Sequence, residues 1–252
     1  MSTVFLNLVP HQDDELITLG VETIASIRER GEENHVLIFT DGSASGVHRL
    51  LANGRECSLH GGTHHYRMSR ERFVAARDRE FTDSCRQIGY SRANIHFPKE
   101  RLRDGEMDTD GAYGVLKGFL STFRVKDGDR LVLRTISPYG GPEQHSDHKS
   151  LGYAAVSAYK NGLVQGLELY QEPYCVFGLR ETHKEAALGV KMADRQTKEV
   201  FTKACAAYGK WRPLLGRFAV GVHSMPDFFE KSTESPASYA IGNVDEMIEL
   251  NG

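Results

Sequence analysis

Residues 4–15 read Val4-Phe5-Leu6-Asn7-Leu8-Val9-Pro10-His11-Gln12-Asp13-Asp14-Glu15, an apolar run that ends in imidazole and acid. The run has the length and composition of a buried strand, and the knot behind it packs four ionisable side chains into positions 11–15. Carboxylates crowded in this way repel one another unless something neutralises them. Two answers are open from these residues alone. Adjacent acids can decorate the first turn of a helix, where the macrodipole favours negative charge. Alternatively, the knot binds a cation.

Downstream of the knot, Leu16, Leu19, Ile24 and Ile27 recur near helical spacing and predict a helix over Leu16 to Arg30, closed by Gly31. His35 to Thr40 reads as a second strand, ended by Asp41-Gly42. Strand, helix and strand in this order form a βαβ unit, which implies a parallel sheet with a right-handed crossover. Gly42 to Arg70 breaks the pattern, with Gly46, Gly54, Gly61 and Gly62 among His48, His60, His64 and His65. A long irregular stretch of this kind is usually functional or mobile, and it reads as a loop over the site, helical around Val47 to Asn53.

Helices are then predicted over Ser69 to Gly89, Tyr113 to Phe123, His148 to Lys160 and Glu185 to Tyr208. Further strands are predicted at Ile95 to Phe97, Arg130 to Arg134, Leu167 to Tyr170 and Tyr174 to Phe177. Without an internal repeat or a clear linker, residues 1–252 read as a single α/β domain.

Composition narrows the class. A net charge of -3 offers no basic excess for nucleic acid. Cys57, Cys85, Cys175 and Cys205 lie far apart without a CxxC pair, and read as free thiols, not as a disulfide framework or a cysteine-based zinc site. The N-terminus lacks the basic and apolar regions of a signal peptide, and no apolar run approaches the roughly 20 residues that span a bilayer. The expectation is a soluble cytoplasmic protein.

Open α/β sheets bind ligands at the carboxyl ends of their strands. The first knot occupies such a place, and so does a second, His145-Ser146-Asp147-His148, which follows the strand Arg130 to Arg134. Two imidazoles and a carboxylate are a common zinc set. A cation near His11, Asp14 and one histidine of the second knot would neutralise the acids and leave one carboxylate free as a general base.

At these residues the chain resembles the PIG-L/LmbE-like zinc N-deacetylases. Pro10-His11-Gln12-Asp13-Asp14-Glu15 is similar to the family's PHPDDE signature, and His145-Ser146-Asp147-His148 to its HPDH signature. The likeness continues through Thr40-Asp41-Gly42 and Arg77-Asp78-Arg79-Glu80, and runs discontinuously from Val4 to about Gly152. It implies a Rossmann-like, mostly parallel sheet flanked by helices, and one Zn2+ per chain held by His11, Asp14 and His148. It further implies Asp13 as general base, His145 as the group that assists the oxyanion or leaving amine, and Arg77 directed towards substrate. The implied reaction removes an N-acetyl group from an N-acetylglucosamine-type sugar or glycoconjugate, and relatives that self-associate make a homo-oligomer the expectation. Gln12 and Ser146 stand where the signatures carry proline, which removes a constraint on φ beside the ligands.

Tyr139, near the second knot, is a candidate for the oxyanion. His35 and His96 read as structural. The histidines of the loop could line a sugar site or simply be solvated, and His183 and His223 have no evident partner. Two other functions compete: a metal-dependent phosphoesterase, since acids and histidines at strand ends also build two-metal sites, and a non-catalytic Rossmann-type cofactor or sugar binder. The last lacks a glycine-rich phosphate loop after its first strand.

Overall fold

The computed structural model describes residues 2–141, 144–173 and 188–251. The first strand, β1 (Thr3–Val9), leads into a short helix α1 (Asp14–Ile17), helix α2 (Gly20–Arg28) and strand β2 (Glu33–Ile38). The expected helix over 16–30 is therefore broken. The N–H groups of Thr18 and Leu19 both turn to the Asp14 carbonyl. Gly20 restarts the helix where an added Cβ would sit 3.1 Å from both Leu16 and Phe201. The break lets α1 stay on the strand end while α2 packs along the sheet.

The loop after β2 carries α3 (Val47–Ala52), as its sequence predicts, and then α4 (Arg70–Ile88). Ser69 caps α4 by accepting the Arg72 N–H, and Gly89 closes it at φ 128, a conformation that side chains strain to adopt. Strand β3 (Ile95–His96), helix α5 (Thr109–Thr122), strand β4 (Arg130–Ile136), helix α6 (Ser146–Lys160) and strand β5 (Gly166–Tyr170) complete the alternation.

The C-terminal part departs from expectation. Leu188–Met192 is a strand, β6, where the sequence predicts the start of a helix; the helix itself, α7, spans Arg195–Tyr208. The strand forms because it has a partner: it pairs antiparallel with a later strand, β9 (Ala237–Ile241), from Leu188↔Ile241 to Met192↔Ala237. Between them lie a two-stranded ribbon of β7 (Trp211–Arg212) and β8 (Arg217–Phe218), and helices α8 (Val220–Ser224) and α9 (Pro226–Glu234). Helix α10 (Val244–Asn251) follows β9. The strand predicted at Tyr174 to Phe177, the start of the helix predicted from Glu185, Cys175 and His183 lie outside the described residues.

The seven strands are ordered β3-β2-β1-β4-β5-β9-β6. From β3 to β5 every pairing is parallel, with β1 registered on β2 (Val4↔Glu33) and on β4 (Thr3↔Arg130). The order reverses between β1 and β4, so the crevice beyond their carboxyl ends is the switch point where such sheets bind ligands.

Side chains alternate across the sheet. Leu6, Leu8, Leu37 and Phe39 join a core under α5 and α6, with Leu116, Leu151 and Ala155. Val9, Val36 and Ile38 join the opposite core under α2, α4 and α7, with Ile24, Phe81 and Phe201. Among the described residues no helix is long and apolar enough to cross a membrane.

Candidate metal centre

Chain direction alone brings the two knots together: β1 delivers His11 to Asp14, and its neighbour β4 delivers His145 to His148. His11 Nδ1 lies 3.1 Å from His148 Nε2 and 3.4 Å from Asp14 Oδ2, and His148 Nε2 lies 3.3 Å from the same Asp14 oxygen. Ligands held at ~2.0–2.1 Å around a tetrahedral zinc would be about 3.3–3.4 Å apart. The three atoms are thus already the corners of one face of such a shell; Asp14 and His148 are buried and His11 nearly so.

Each imidazole is oriented from behind. His11 Nε2 faces Asp147 Oδ2 at 3.1 Å and Asp104 Oδ1 at 3.2 Å, and His148 Nδ1 pairs with the fully buried Glu172 just beyond β5. A carboxylate behind each ring places the proton on the outer nitrogen and leaves the inner lone pair for a metal. Asp147 is in turn fixed by the N–H groups of Gly105 and Met107. Burial opposes a charged His11, but hydrogen bonds to Asp104, Asp14 and Asp147 outweigh it and raise its pKa well above the usual value.

The three consecutive acids have different fates. Burial works against the Asp14 carboxylate, but His148 and His11 hold its pKa below the ordinary value. Asp13 is pushed to about 7 by burial, with Arg77 opposing and Asp14 adding to the shift. Its backbone sits at φ 136, a strained conformation for a residue with a side chain, and the strain is held at the edge of the pocket. Glu15 is raised to about 8 by burial; it accepts the Tyr208 hydroxyl at 2.7 Å and the Asp13 N–H at 3.0 Å, and so ties α7 to the site.

His145 caps α6, with Nδ1 accepting the Asp147 N–H at 3.2 Å. An accepting Nδ1 is unprotonated, so the neutral ring carries its proton on Nε2. Its pKa is lowered by burial, then by His11 and His148, which keeps the ring neutral. The ring lies edge-on to His11 at 4.8 Å between centroids.

Arg77 is buried and donates to the carbonyls of Gly42 and Gln12, while lying 3.6 Å from Asp13 and 3.8 Å from Asp104. It lines the pocket, yet most of its contacts clamp the site's own loops. Gln12 turns away from the pocket and donates to Asp78, which Arg101 grips with both nitrogens. Gly42 leaves room for it, since a Cβ there would meet the Gln12 amide oxygen at 2.1 Å. Ser146 is exposed on the first turn of α6. Neither replacement of a signature proline displaces the ligand atoms.

These groups open into a pocket of about 290 Å³, whose walls also include Ala44, Ser45 and Gly46, and Ser224 and Met225. Tyr139 does not line it and packs edge-on to Tyr153 instead. Nor do the histidines of the loop. Asp104 and Glu172 were not foreseen from the sequence; the one available signal for Glu172 was its place just past a predicted strand. A larger apolar cavity of about 650 Å³ shares Ile17 with the polar pocket but holds none of the histidines. The chemistry is in the smaller one.

The sequence profile of the PIG-L family, described as GlcNAc-PI de-N-acetylase, matches residues 6–159 and so spans both knots. The chain belongs to the PIG-L family. No curated protein sequence matches it. Among solved structures, teicoplanin deacetylase Orf2 in its zinc-inhibited form is 14% identical with a TM-score of 0.56, the alignment covering 95% of this chain and 98% of that one. N,N'-diacetylchitobiose deacetylase from Pyrococcus horikoshii, complexed with its inhibitor MPG, is 18% identical with a TM-score of 0.50, covering 96% and 82%. GalB, the 4-carboxy-2-hydroxymuconate hydratase from Pseudomonas putida KT2440, is 16% identical with a TM-score of 0.52, covering 96% and 95%. At these identities the likeness concerns the fold. Deacetylases and a hydratase share it, so for this PIG-L protein the reaction is argued from the site.

Proposed function

We propose that this PIG-L protein is a zinc-dependent de-N-acetylase acting on an N-acetylated amino sugar, of N-acetylglucosamine type, or a conjugate of one. The observation that carries the reading is the preformed triangle of His11 Nδ1, Asp14 Oδ2 and His148 Nε2 with the free carboxylate of Asp13 beside it. Three protein ligands leave one tetrahedral position open, the mark of a catalytic zinc. A bound Zn2+ would lower the pKa of a water towards ~7 and polarise the acetyl carbonyl.

The chain's own residues supply the rest. Asp13, steadied by Arg77, takes the proton of the attacking water as general base. The Nε2–H of His145 donates to the carbonyl oxygen as negative charge grows there, or to the departing nitrogen. Asp104, Asp147 and Glu172 hold the two ligand imidazoles in register. The carboxylates of Asp104 and Asp147 both face His11 Nε2 and serve to orient that ring, which favours one metal over the two-metal site of a phosphoesterase. The sheet draws strands from both ends of the chain, which supports one domain over residues 1–252.

The test is acetate and free-amine release from a panel of N-acetylglucosamine conjugates by zinc-loaded protein. Release that His148→Ala abolishes together with zinc at this cluster is expected. A fully zinc-loaded protein that frees no amine from any conjugate would sink the reading.

A further inference from the structure

A second group of metal-type donors stands apart from the pocket. Cys57, His60, His64 and His223 place one ligand atom each within 4.8 Å of one another. Cys57 Sγ is 3.3 Å from His223 Nε2 and 3.7 Å from His60 Nδ1. With Zn–S bonds of ~2.3 Å and Zn–N bonds of ~2.0–2.1 Å, tetrahedral geometry sets sulfur and nitrogen about 3.6 Å apart. We propose that these four residues bind a structural Zn2+ ion. The proposal does not depend on the reading of the first cluster.

Local structure supports it at each ligand. Cys57 and His64 stand on the two arms of a tight turn, in which Cys57 N–H donates to the Gly62 carbonyl and Gly61 N–H to the Cys57 carbonyl. Gly61 and Gly62 both sit at φ 69, which the turn requires and a side chain would strain. The turn thus gathers a Cys-x2-His-x3-His set from eight residues of chain. His64 Nε2 is buried with no hydrogen-bond partner, although a buried polar atom is rarely left so. His223 Nδ1 donates to the Ala219 carbonyl at 2.7 Å, which fixes the tautomer and leaves the Nε2 lone pair facing the Cys57 sulfur. Ala219 holds that carbonyl in place at φ 48, a strained backbone that Glu80 secures by accepting the next two N–H groups, of Val220 and Gly221. Trp211 lies over His60 at 4.1 Å between rings and shields the cluster.

The donor set selects the metal. One thiolate and three imidazoles in a compact, four-cornered arrangement suit zinc, and four protein ligands close the shell, as in structural sites. Cys57 is a free cysteine, as expected from the sequence; under this proposal its thiol becomes a ligand, with three partners that no CxxC pattern reveals. The ion would also have a task. Ala44, Ser45 and Gly46 open the loop that carries Cys57, His60 and His64, while Ser224 and Met225 directly follow His223. A zinc here ties together two segments, distant in sequence, that both line the polar pocket.

Metal content and the sole tryptophan, Trp211, provide the test. Zinc-saturated wild type should hold two equivalents per chain, and Cys57→Ser and His148→Ala one each. Cobalt-loaded wild type and His148→Ala should both show the near-ultraviolet thiolate-to-cobalt charge-transfer band, and Cys57→Ser should lack it. Cobalt added to metal-free protein should quench Trp211 in wild type and His148→Ala but not in Cys57→Ser. Should Cys57→Ser be unstable, His60→Ala at an exposed ligand should weaken this site by more than the ~10–100-fold that loss of a residue outside a ligand shell costs. Wild type that binds only zinc removable by His148→Ala, with no thiolate band, overturns the proposal. So does unaltered stoichiometry and quenching in both Cys57→Ser and His60→Ala.

Discussion

The two imidazole clusters of this PIG-L protein differ in how they are held and in what they leave open. His11 and Asp14 stand just past the end of β1 and His148 on the first turn of α6, and the parallel strands bring their donor atoms to metal-like spacing. Each of their rings is backed by carboxylate. Cys57, His60, His64 and His223 stand on a glycine-rich turn and a short C-terminal helix, with an aromatic cover and a carbonyl behind one ring. The first set has three donors, acidic surroundings and a pocket; the second has four donors and lines neither cavity described above. A rigid, incomplete shell suits chemistry, whereas a complete shell on loops suits a cross-link.

The largest expected effect falls on the first cluster. His148→Ala should abolish amine release with its zinc, while the thiolate–cobalt band of the second cluster persists. Loss of that band as well would mean the clusters fold as one unit, and the comparison would break.

Next come Asp13 and His145, the groups proposed to act in the reaction without binding metal. Asp13→Asn and His145→Ala should each lower kcat by roughly 10²-fold or more with zinc retained, the scale of general acid–base groups. Near-native kcat in a zinc-replete variant would reduce that residue to a positioning role.

The second cluster should read out differently. Cys57→Ser should raise KM and lower Tm by about 5–10 °C, the loss of a bound structural ion, with kcat changed only a few-fold. A large fall in kcat with unchanged Tm would assign the cluster to chemistry instead.

A third group of imidazoles sharpens the contrast by having neither thiolate nor buried carboxylate. His35 and His96 stack at 5.3 Å at the sheet edge beside Phe119 and Phe123, with the exposed Glu33 on the far nitrogen of His35. Burial, then His35, lowers the His96 pKa from 6.5 to about 4. The unfolded chain therefore takes up this proton first, so stability is lost as pH falls from about 6.5 and the loss is complete below about 4. Denaturant midpoints across that range should slope less in His96→Gln than in wild type, and equal slopes would remove His96 as the cause. This is the smallest effect.

Much of the fold was legible from burial and period. The alternation from Thr3 to Tyr170 needs only apolar runs of strand length, helical spacing and glycine stops, and each of those signals is local. The first cluster was legible for the same reason. His11 and Asp14 are three residues apart, as are His145 and His148, and each pair follows a recognisable strand. The strand Leu188–Met192 shows the limit, because its conformation is set by Ala237–Ile241, a partner about 50 residues away in sequence. The loop from Gly42 to Arg70, expected from its sequence to lie over the site, lends Ala44, Ser45 and Gly46 to the pocket, while its Val47, Leu51 and Met68 pack with Phe73 and Phe218 into a small core, which no local pattern announces.

What the sequence by itself determined was the parallel sheet, its switch point and the five side chains His11, Asp13, Asp14, His145 and His148. Those features follow from chain direction and short-range spacing, which any strand end imposes. Tertiary structure alone decided that Glu172 backs His148, that Gln12 is turned inward to Asp78, and that His223 meets Cys57 across 166 positions of chain. Such contacts join segments with no fixed spacing between them. They exist only because packing of the core has already brought distant backbone within a few ångströms, and no local pattern of residues records that distance.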